Sequence, residues 1–331
     1  MNKLRISILG DGGWGTTLAK LLADKGYSVT LWGAFEDYVK IVAKTRLNTK
    51  FLPGIKIPQA VSLESNLLVA VKNKDIIVLA IPSQYTRMVL KRIKGKFAQK
   101  TIFLSVTKGI EIASSQRISQ IIRQELGAVK LAVLSGPTIA REVACGVPTT
   151  AVVAASSKDI RCKIQTLFNT ERFRVYTNSD VIGVELGGSL KNVIAIACGV
   201  ADGLGFGTNT KAAILARGLA EISRLGVALG AKAETFKGIS GLGDLVTTCI
   251  SPQSRNRCLG EEIGKGVNVK KIFKTMQMVA EGYPTAKSAY ALSVKHKVDM
   301  PITKEVYHLL YKNKSPQAAV KDLMTRKSKE E

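Results

Sequence analysis

The stretch LRISILGDGGWG, residues 4–15, decides the fold of this chain. Its first half, Leu4–Leu9, is an apolar run that predicts a buried strand, and its second half places glycines at positions 10, 12 and 15. Residues 16–25 then have the apolar spacing of a helix, Gly26 ends that helix, and Val29–Trp32 predicts a second strand. A strand, a glycine turn, a helix and a second strand thus follow one another within about thirty residues. In this context such glycines bind a dinucleotide.

The glycines of this turn suit that chemistry. Gly10 can make the tight turn after the strand, and Gly12 lets the main chain approach a pyrophosphate closely. The N–H groups that open the next helix then hold the negative charge. The alternative is an ordinary turn between a strand and a helix, but the position on the first strand of the chain favours the dinucleotide site.

Composition and charge narrow the class of protein. The chain has 331 residues, of which 46% are hydrophobic, and this is enough for two domains with sizeable cores. Its 49 basic and 25 acidic residues give a net charge of +24, which attracts anions. The lysines are spread along the chain and do not alternate with aromatic residues, so we expect no nucleic-acid binding.

The cysteines and histidines argue against a disulfide-bonded protein and against a metalloprotein. The five cysteines form no Cys-x-x-Cys pair, which predicts free thiols in the reducing cytoplasm. The two histidines, His296 and His308, fit no metal-ligand pattern, so we expect no metal. No run of about 18 uncharged apolar residues occurs, and we therefore expect no membrane span.

Two patterns divide the chain. Up to about residue 178, runs typical of buried strands alternate with helical spacing, which predicts an α/β domain with a doubly wound sheet of the Rossmann type. From Val181 onward the spacing is nearly all helical. We therefore predict a dinucleotide-binding domain over residues 1–184 and an all-α substrate-binding domain over residues 185–331. The predicted later strands are Ile76–Ile81, Thr101–Val106, Leu131–Ser135, Thr150–Ala154 and Phe173–Thr177, and the predicted later helices are 84–93, 114–126, 159–168, 190–201, 209–229, 269–278, 285–295, 303–310 and a short one from Ser315.

Ligand sites of open α/β sheets lie beyond the carboxyl ends of the strands. Lys108 follows one predicted strand, so its ammonium can meet a phosphate or a carbonyl oxygen there. Gly136-Pro137-Thr138 follows the next strand. A helical domain after the sheet would close over this edge, and we expect the substrate between the two domains.

Lys191 is the second candidate, because it lies in a predicted helix that is apolar on nearly all sides. A buried lysine is costly unless it is paired or deprotonated. Burial favours proton release from a lysine, which suits general acid/base catalysis near neutral pH. The alternative is a structural ion pair with Glu185 or Asp244.

A third candidate site combines Gly241–Leu245 with Ser254–Arg257. Glycines free the main chain in the first segment, where Asp244 offers a carboxylate. The second segment opens a predicted helix with hydrogen-bond donors, and an arginine at a helix start is a ready phosphate site. The alternative is a loop followed by a basic helix face.

Taken together, these motifs closely resemble the bacterial NAD(P)-dependent glycerol-3-phosphate dehydrogenase family. The resemblance covers the chain from Leu4 to about Leu323, and six motifs in one order are far more specific than any one of them. They are GDGGWGT at 10–16, TKG at 107–109, SGPT at 135–138, GGSLKN at 187–192, GLGDL at 241–245 and SRNR at 254–257.

The resemblance implies reduction of dihydroxyacetone phosphate to sn-glycerol 3-phosphate with NADH or NADPH, which supplies the backbone of glycerophospholipids. It also implies a cytoplasmic homodimer without a metal, and Lys191 as proton donor and acceptor. The implied cofactor contacts are Gly10, Gly12, Gly13, Trp14, Gly15, Ala34, Lys108, Ala140, Arg255, Val279 and Glu281. The implied substrate contacts are Lys108, Gly136, Thr138, Lys191, Asn192, Asp244, Thr248, Ser254, Arg255 and Asn256.

The chain departs from the family pattern at two places. The glycine turn usually reads Gly-Ala-Gly-Ser, whereas Asp11 and Gly13 stand here. An inward-pointing Asp11 would repel a pyrophosphate, so we expect its side chain to face away. The family often carries a histidine or arginine after the second strand, where this chain has Gly33, Ala34 and Phe35, and this leaves the choice between NADH and NADPH open.

Two other functions compete with this interpretation. A related dehydrogenase acting on a β-hydroxy acid also uses a lysine and an asparagine on the corresponding helix, but it needs a carboxylate pocket, and Ser254–Asn256 fits a phosphate better. A silent dinucleotide-binding sensor or a nucleic-acid binder would instead show salt-dependent DNA binding without turnover.

Overall fold

The computed structural model describes residues 4–276, 279–328 and 330, which form two compact units. The first unit comprises the chain up to Lys108 together with Gln116–Glu185. The second comprises Gly109–Ser115 and the chain from Leu186 onward. The assignment of residues 109–115 to the second unit has no counterpart in the sequence pattern.

The first unit contains one eight-stranded sheet, in the order β3-β2-β1-β4-β5-β6-β7-β8. All neighbouring strands are parallel except β6 and β7, which are antiparallel. This arrangement confirms the predicted doubly wound α/β fold. The strands are β1 (Arg5–Leu9), β2 (Ser28–Trp32), β3 (Val61–Glu64), β4 (Ile76–Leu79), β5 (Ile102–Ser105), β6 (Lys130–Ser135), β7 (Thr149–Ala154) and β8 (Phe173–Asn178).

The central strands are buried on both faces. Ile76 and Val78 of β4 belong to one apolar cluster, while Ile77 and Leu79 belong to another. Alternate residues of a strand point to opposite faces, so the continuous apolar run reflects helices packed on both sides of the sheet. Leu9 pairs with both Trp32 and Leu79, which brings the carboxyl ends of β1, β2 and β4 to one edge.

Helices connect these strands. The longest of them, α1, starts directly at the glycine turn because Gly12 is its N-cap residue. The helices of the first unit are α1 (Gly13–Asp24), α2 (Glu36–Thr45), α3 (Leu67–Val71), α4 (Ser83–Ile93), α5 (Ile118–Leu126), α6 (Ala140–Ala144) and α7 (Lys158–Phe168).

Among its described residues, the elements of the second unit are helices, and Gly109–Ser115 is a non-helical segment. Its first helix begins at Val181, so residues 181–185 of that helix belong to the first unit. The helices are α8 (Val181–Gly203), α9 (Thr208–Ala228), α10 (Ala233–Lys237), a π-helical turn (Ile239–Gly243), α11 (Asp244–Ile250), α12 (Arg255–Gly264), α13 (Val269–Thr275), α14 (Gly282–Lys295), α15 (Pro301–Tyr311) and α16 (Pro316–Met324).

Helix α8 is long and apolar enough to cross a membrane by length and composition alone. In the protein, 83% of its most apolar 18-residue window is buried. The core helix of a folded protein meets the same criteria.

Several predicted boundaries were wrong. The predicted helix at 190–201 starts at Val181, and the one at 114–126 starts only at Ile118. Residues 277 and 278 of the predicted helix 269–278 lie outside the described residues. The prediction missed β3, which is a four-residue edge strand, and α2, a ten-residue helix that buries only Val39 and Val42.

Candidate active site

Two glycines of the first turn are required by the packing of the chain itself. Gly10 has a φ of 116°, which favours glycine, and a Cβ at this position would lie 2.5 Å from the carbonyl oxygen of Ala80. A Cβ at Gly15 would lie 1.9 Å from the carbonyl oxygen of Gly10. The turn is therefore held against the end of β4 on one side and against its own helix on the other.

Gly12 differs from both of them, because a Cβ at this position would meet nothing within 4 Å. The residue has an extended conformation, and its side chain can offer no cap to the first N–H groups of α1. Open space beside a glycine at an uncapped helix N-terminus is the arrangement that a pyrophosphate requires. The turn therefore fits a dinucleotide.

The side chain of Asp11 points toward the end of the neighbouring strand β2. A Cβ at Gly33 would lie 2.5 Å from Oδ2 of Asp11 and 2.6 Å from Cγ2 of Val39. This Oδ2 atom is buried and has no hydrogen-bond partner among the described residues. Burial raises the pKa of the carboxyl, while its own N–H group and Lys50 act in the opposite direction.

Other residues of the first unit that were predicted to contact the cofactor are Trp14, Ala140 and Ala34. Trp14 packs against the core beside Phe173, and its buried Nε1 has no hydrogen-bond partner among the described residues. Ala140 begins α6, and its carbonyl oxygen accepts a 3.0 Å hydrogen bond from Thr17 Oγ1. Ala34 is exposed after β2.

Lys108 joins the ends of two strands. Its Nζ donates to the carbonyl oxygen of Gly136 at 2.7 Å and to Oγ1 of Thr138 at 3.2 Å. Lys108 lies just beyond β5, whereas Gly136 and Thr138 lie just beyond β6, and these two strands are neighbours in the sheet. The structure thus brings together the three predicted strand-end residues of the first unit.

Lys191 lies inside the second unit with an acidic and a hydroxyl partner. Its Nζ lies 2.9 Å from Oδ1 of Asp244 and donates to Oγ1 of Thr248. The Thr248 hydroxyl in turn donates to the carbonyl oxygen of Asp244 at 2.7 Å. The Lys191 and Asp244 side chains are only 6% and 2% exposed, so this ion pair is removed from water.

Of the two partners considered for Lys191, the structure therefore selects Asp244. Glu185 instead accepts hydrogen bonds from Nη1 of Arg117 at 2.7 Å and from the main-chain N–H of Ser119 at 2.8 Å. These contacts cap the first turn of α5, within the first unit.

Glycines allow Asp244 to come this close to α8. A Cβ at Gly187 would lie 2.5 Å from the carbonyl oxygen of Ser240, and a Cβ at Gly241 would lie 2.1 Å from that of Phe236. The π-helical turn at 239–243 and α11 were not predicted, because the glycine-rich motif obscures helical spacing. Such turns are frequent at functional sites, and this one places Asp244 at the start of α11.

The third motif also folds as predicted around Ser254, which caps α12 by accepting from the N–H of Arg257 at 3.3 Å. Asn256 donates from Nδ2 to Oδ1 of Asn192 at 2.9 Å and accepts from the N–H of Gly282 at 2.8 Å. These bonds connect α12 to α8 and α14.

Arg255 remains exposed at the start of α12, and its Nη1 donates to the carbonyl oxygen of Val279 at 2.9 Å. Glu281 lies close enough to interact electrostatically with this guanidinium. The predicted residues Arg255, Val279 and Glu281 therefore lie at one place in the second unit.

An ion cluster that no sequence motif predicted surrounds Arg257. Asp202, near the end of α8, lies 2.5 Å from Nη1 of Arg257 and 2.6 Å from Nζ of Lys211. Arg257 also donates from Nε to the carbonyl oxygen of Ser251 at 3.1 Å. Arg257 is thus paired with a carboxylate, whereas the neighbouring Arg255 donates to the main-chain carbonyl of Val279. No local sequence signal identified Asp202.

Reciprocal glycines bring α8 and α12 into main-chain contact. A Cβ at Gly199 would lie 1.9 Å from the carbonyl oxygen of Arg257, and one at Gly203 would lie 2.2 Å from that of Glu261. On the other helix, a Cβ at Gly260 would lie 2.0 Å from the carbonyl oxygen of Ile196. We call these residues the glycine crossing. It connects the helix that carries Lys191 to the helix that begins with Arg255.

Within residues 4–276, 279–328 and 330, no group of three or more His, Cys, Asp or Glu side chains could hold a metal ion.

Comparison with known proteins covers both units. The profile of the NAD-dependent glycerol-3-phosphate dehydrogenase N-terminus matches residues 5–161, and that of the C-terminus matches residues 180–321. A glycerol-3-phosphate dehydrogenase [NAD(P)+] from Chlorobium phaeobacteroides is 48% identical over 99% of each chain.

Solved structures agree with this match. Glycerol-3-phosphate dehydrogenase from Coxiella burnetii is 39% identical, with a TM-score of 0.95 over 98% of this chain and 99% of that one. The enzyme from Saccharomyces cerevisiae is 30% identical, with a TM-score of 0.82 over 98% of this chain and all of that one. The two profile matches, the 48% identical relative and the shared fold agree. The chain therefore belongs to the NAD-dependent glycerol-3-phosphate dehydrogenase family.

Proposed function

We propose that this chain catalyses the reversible NAD(P)-dependent reduction of dihydroxyacetone phosphate to sn-glycerol 3-phosphate. The observation that carries the proposal is the buried Lys191 ammonium, held by Asp244 and Thr248 on a helix in main-chain contact with α12, which starts with Ser254, Arg255 and Asn256. The six motifs and the family membership support the same reaction.

Lys191 moves the proton. Its Nζ donates a proton to the carbonyl oxygen at C2 of the substrate as that oxygen gains negative charge, and takes it back in the reverse direction. Asp244 stabilises the ammonium, and Thr248 fixes the direction of one N–H bond. Bound NADH or NADPH supplies the hydride for C2.

The start of α12 holds the phosphate. Arg255 supplies charged donors, and Ser254 and Asn256 add a hydroxyl and an amide beside the N-terminus of a ten-residue helix. Asn256 is buried and oriented by Asn192 and Gly282, so its amide is held in one direction. Lys108, with Gly136 and Thr138, contacts substrate and cofactor from the strand ends of the first unit.

We assign cofactor binding and substrate binding to the two predicted sequence regions. Residues 1–184 bind the dinucleotide through Gly10, Gly12, Gly13, Trp14, Gly15, Ala34, Lys108 and Ala140. Residues 185–331 bind the substrate and contribute Arg255, Val279 and Glu281 to the cofactor.

The proposal also covers the oligomeric state of the enzyme and its location in the cell. The enzyme works as a homodimer in the cytoplasm and supplies glycerophospholipid synthesis, as the family resemblance implies. Light scattering coupled to gel filtration tests the first point, since a peak at the mass of a single chain would contradict it.

The decisive experiment compares substrates. The purified chain is mixed with NADH or NADPH, and loss of the reduced nicotinamide absorbance is followed with dihydroxyacetone phosphate or with unphosphorylated dihydroxyacetone. We expect kcat/KM to be at least about a hundredfold lower without the phosphate, because the donors of α12 then lose their partner. Equal activity on both, or activity only on a β-hydroxy acid, would contradict the proposal.

A further inference from the structure

The carboxylate of Asp11 occupies the place where a side chain of residue 33 would stand. Its Oδ2 lies 2.5 Å from the Cβ position of Gly33, directly after β2. The carbonyl oxygen of Asp11 accepts hydrogen bonds from Asn48 Nδ2 at 2.7 Å and from Thr16 Oγ1 at 3.1 Å. The Asp11 main chain is therefore anchored from two sides.

The end of the second strand is where a Rossmann domain distinguishes its dinucleotides. An acidic side chain there accepts hydrogen bonds from ribose hydroxyls and suits NAD, whereas a nearby arginine accommodates the 2′-phosphate of NADP. In this chain the strand continues into Gly33, Ala34 and Phe35, which carry no charge. The glycine turn supplies an acid to that place instead.

The charges around this position leave Asp11 without a bonded cation. Its Oδ2 has no hydrogen-bond partner among the described residues, and Lys50 acts on it only through the longer-range electrostatic interaction. The first acidic residue after β2, Glu36, is exposed and pairs with Lys40 at 2.7 Å. A buried carboxylate without a bonded cation has a stronger field than an exposed one, because less water screens it.

We propose that Asp11 makes this chain select NADH over NADPH, because its carboxylate lies at the end of β2 where a 2′-phosphate would bring further negative charge. This inference rests on the proposed function for the identity of the cofactor, and it goes further by assigning the preference to one residue. This role of Asp11 also requires glycine at position 33, since a larger residue there would displace the carboxylate.

Equilibrium binding tests the inference without turnover. NADH and NADPH are titrated separately into the full-length protein, and each dissociation constant is read from the change in nicotinamide fluorescence. We expect wild type to bind NADH at least about tenfold more tightly than NADPH, because like charges repel across the site. Asp11→Asn should reduce that ratio by about fivefold or more, mainly through tighter binding of NADPH.

Two further variants test whether the effect is specific to the carboxylate of Asp11. Asp37→Asn removes the same charge from an exposed position in the first turn of α2 and should leave the ratio unchanged. Asp11→Ala repeats the test if Asp11→Asn does not fold, as judged by circular dichroism. A wild-type preference for NADPH, or an unchanged ratio in the folded Asp11 variants, would overturn the inference.

Different results would contradict the proposed function itself. If wild type bound neither dinucleotide, or bound both without reducing dihydroxyacetone phosphate, the proposed function would be wrong. If it reduced dihydroxyacetone phosphate but preferred NADPH, only the role of Asp11 would be wrong.

Discussion

Nζ of Lys191 and Oδ1 of Asp244 lie 2.9 Å apart, and both side chains are almost fully buried. A buried ion pair is costly to form and still more costly to break, because the remaining charge then has no partner. The pair therefore constrains both the chemistry and the stability of the second unit.

Removing the lysine should abolish most of the activity. Lys191→Ala is expected to lower kcat by about 10²–10⁴-fold, since positioned proton transfer contributes that much. Steady-state kinetics with dihydroxyacetone phosphate measures the loss. Lys295→Ala removes the same side chain from an exposed position at the end of α14 and should retain wild-type kcat. Near-normal turnover by folded Lys191→Ala would remove Lys191 from the mechanism.

Removing the acid should destabilise the protein. Asp244→Asn leaves the buried ammonium unpaired, and we expect the free energy of unfolding to fall by about 3–5 kcal/mol. Urea denaturation measures this change. The double variant Lys191→Met/Asp244→Leu should recover most of the loss without recovering activity. If Asp244→Asn were as stable as wild type, the pair would not carry a charge that needs compensation.

The phosphate contact should appear in kcat/KM. Arg255→Ala removes charge-assisted hydrogen bonds worth about 1.5–3 kcal/mol, which corresponds to a roughly 10–150-fold loss on dihydroxyacetone phosphate. With the reduced cofactor at a saturating concentration, which offsets any weaker cofactor binding, the same variant should act on unphosphorylated dihydroxyacetone as wild type does, because that substrate has no phosphate to lose. Equal losses on both substrates would indicate a general defect of α12.

The glycine crossing should not tolerate a methyl group. Gly260→Ala would place Cβ 2.0 Å from the carbonyl oxygen of Ile196, so the helices must separate. We expect a cost of about 1–3 kcal/mol in unfolding free energy, together with a raised KM. Gly207→Ala, where a Cβ meets nothing within 4 Å, should cost less than about 1 kcal/mol and leave KM unchanged. Identical thermal melts for the two variants would contradict the prediction.

The ion cluster at Asp202 predicts a pH dependence. Burial alone would raise the pKa of the Asp202 carboxyl, but Lys211 and Arg257 lower it below its ordinary value. A lowered pKa in the folded state adds stability above the ordinary value, and this stability is lost as pH falls through the folded value. The difference in stability between wild type and Asp202→Asn should therefore be largest near neutral pH and shrink below about pH 4. Urea denaturation at several pH values measures it. A constant difference at all pH values would argue against the ion pairs.

Local patterns predicted much of the fold. The strand, glycine turn and helix of residues 4–25 are specified by neighbouring residues, and Ser254 capped a helix where its sequence indicated. Seven of the eight strands were predicted from apolar runs, although the edge strand β3 was too short to detect. Helix α2 was missed although its apolar residues have helical spacing.

Long-range pairs were beyond local reasoning. Asp202 and Arg257 are separated by 55 residues, and nothing near either residue indicates the other. Lys191 had two acidic candidates in the sequence, and only the fold selects Asp244 over Glu185. The contact between Asp11 and Gly33 also depends on the register of β1 and β2, which the sequence alone did not specify.

The glycine crossing has a consequence for the length of substrate that the enzyme accepts. Main-chain oxygens of one helix touch glycine α-carbon positions of the other, so no side-chain rotamer can widen or narrow the gap. The spacing from Lys191 to the start of α12 is thus set by backbone geometry. Under the proposed function, this spacing fixes the number of bonds between the ketone and the phosphate of the substrate. Homologous substrates with one carbon more or fewer should be rejected for their length alone, whatever their charge.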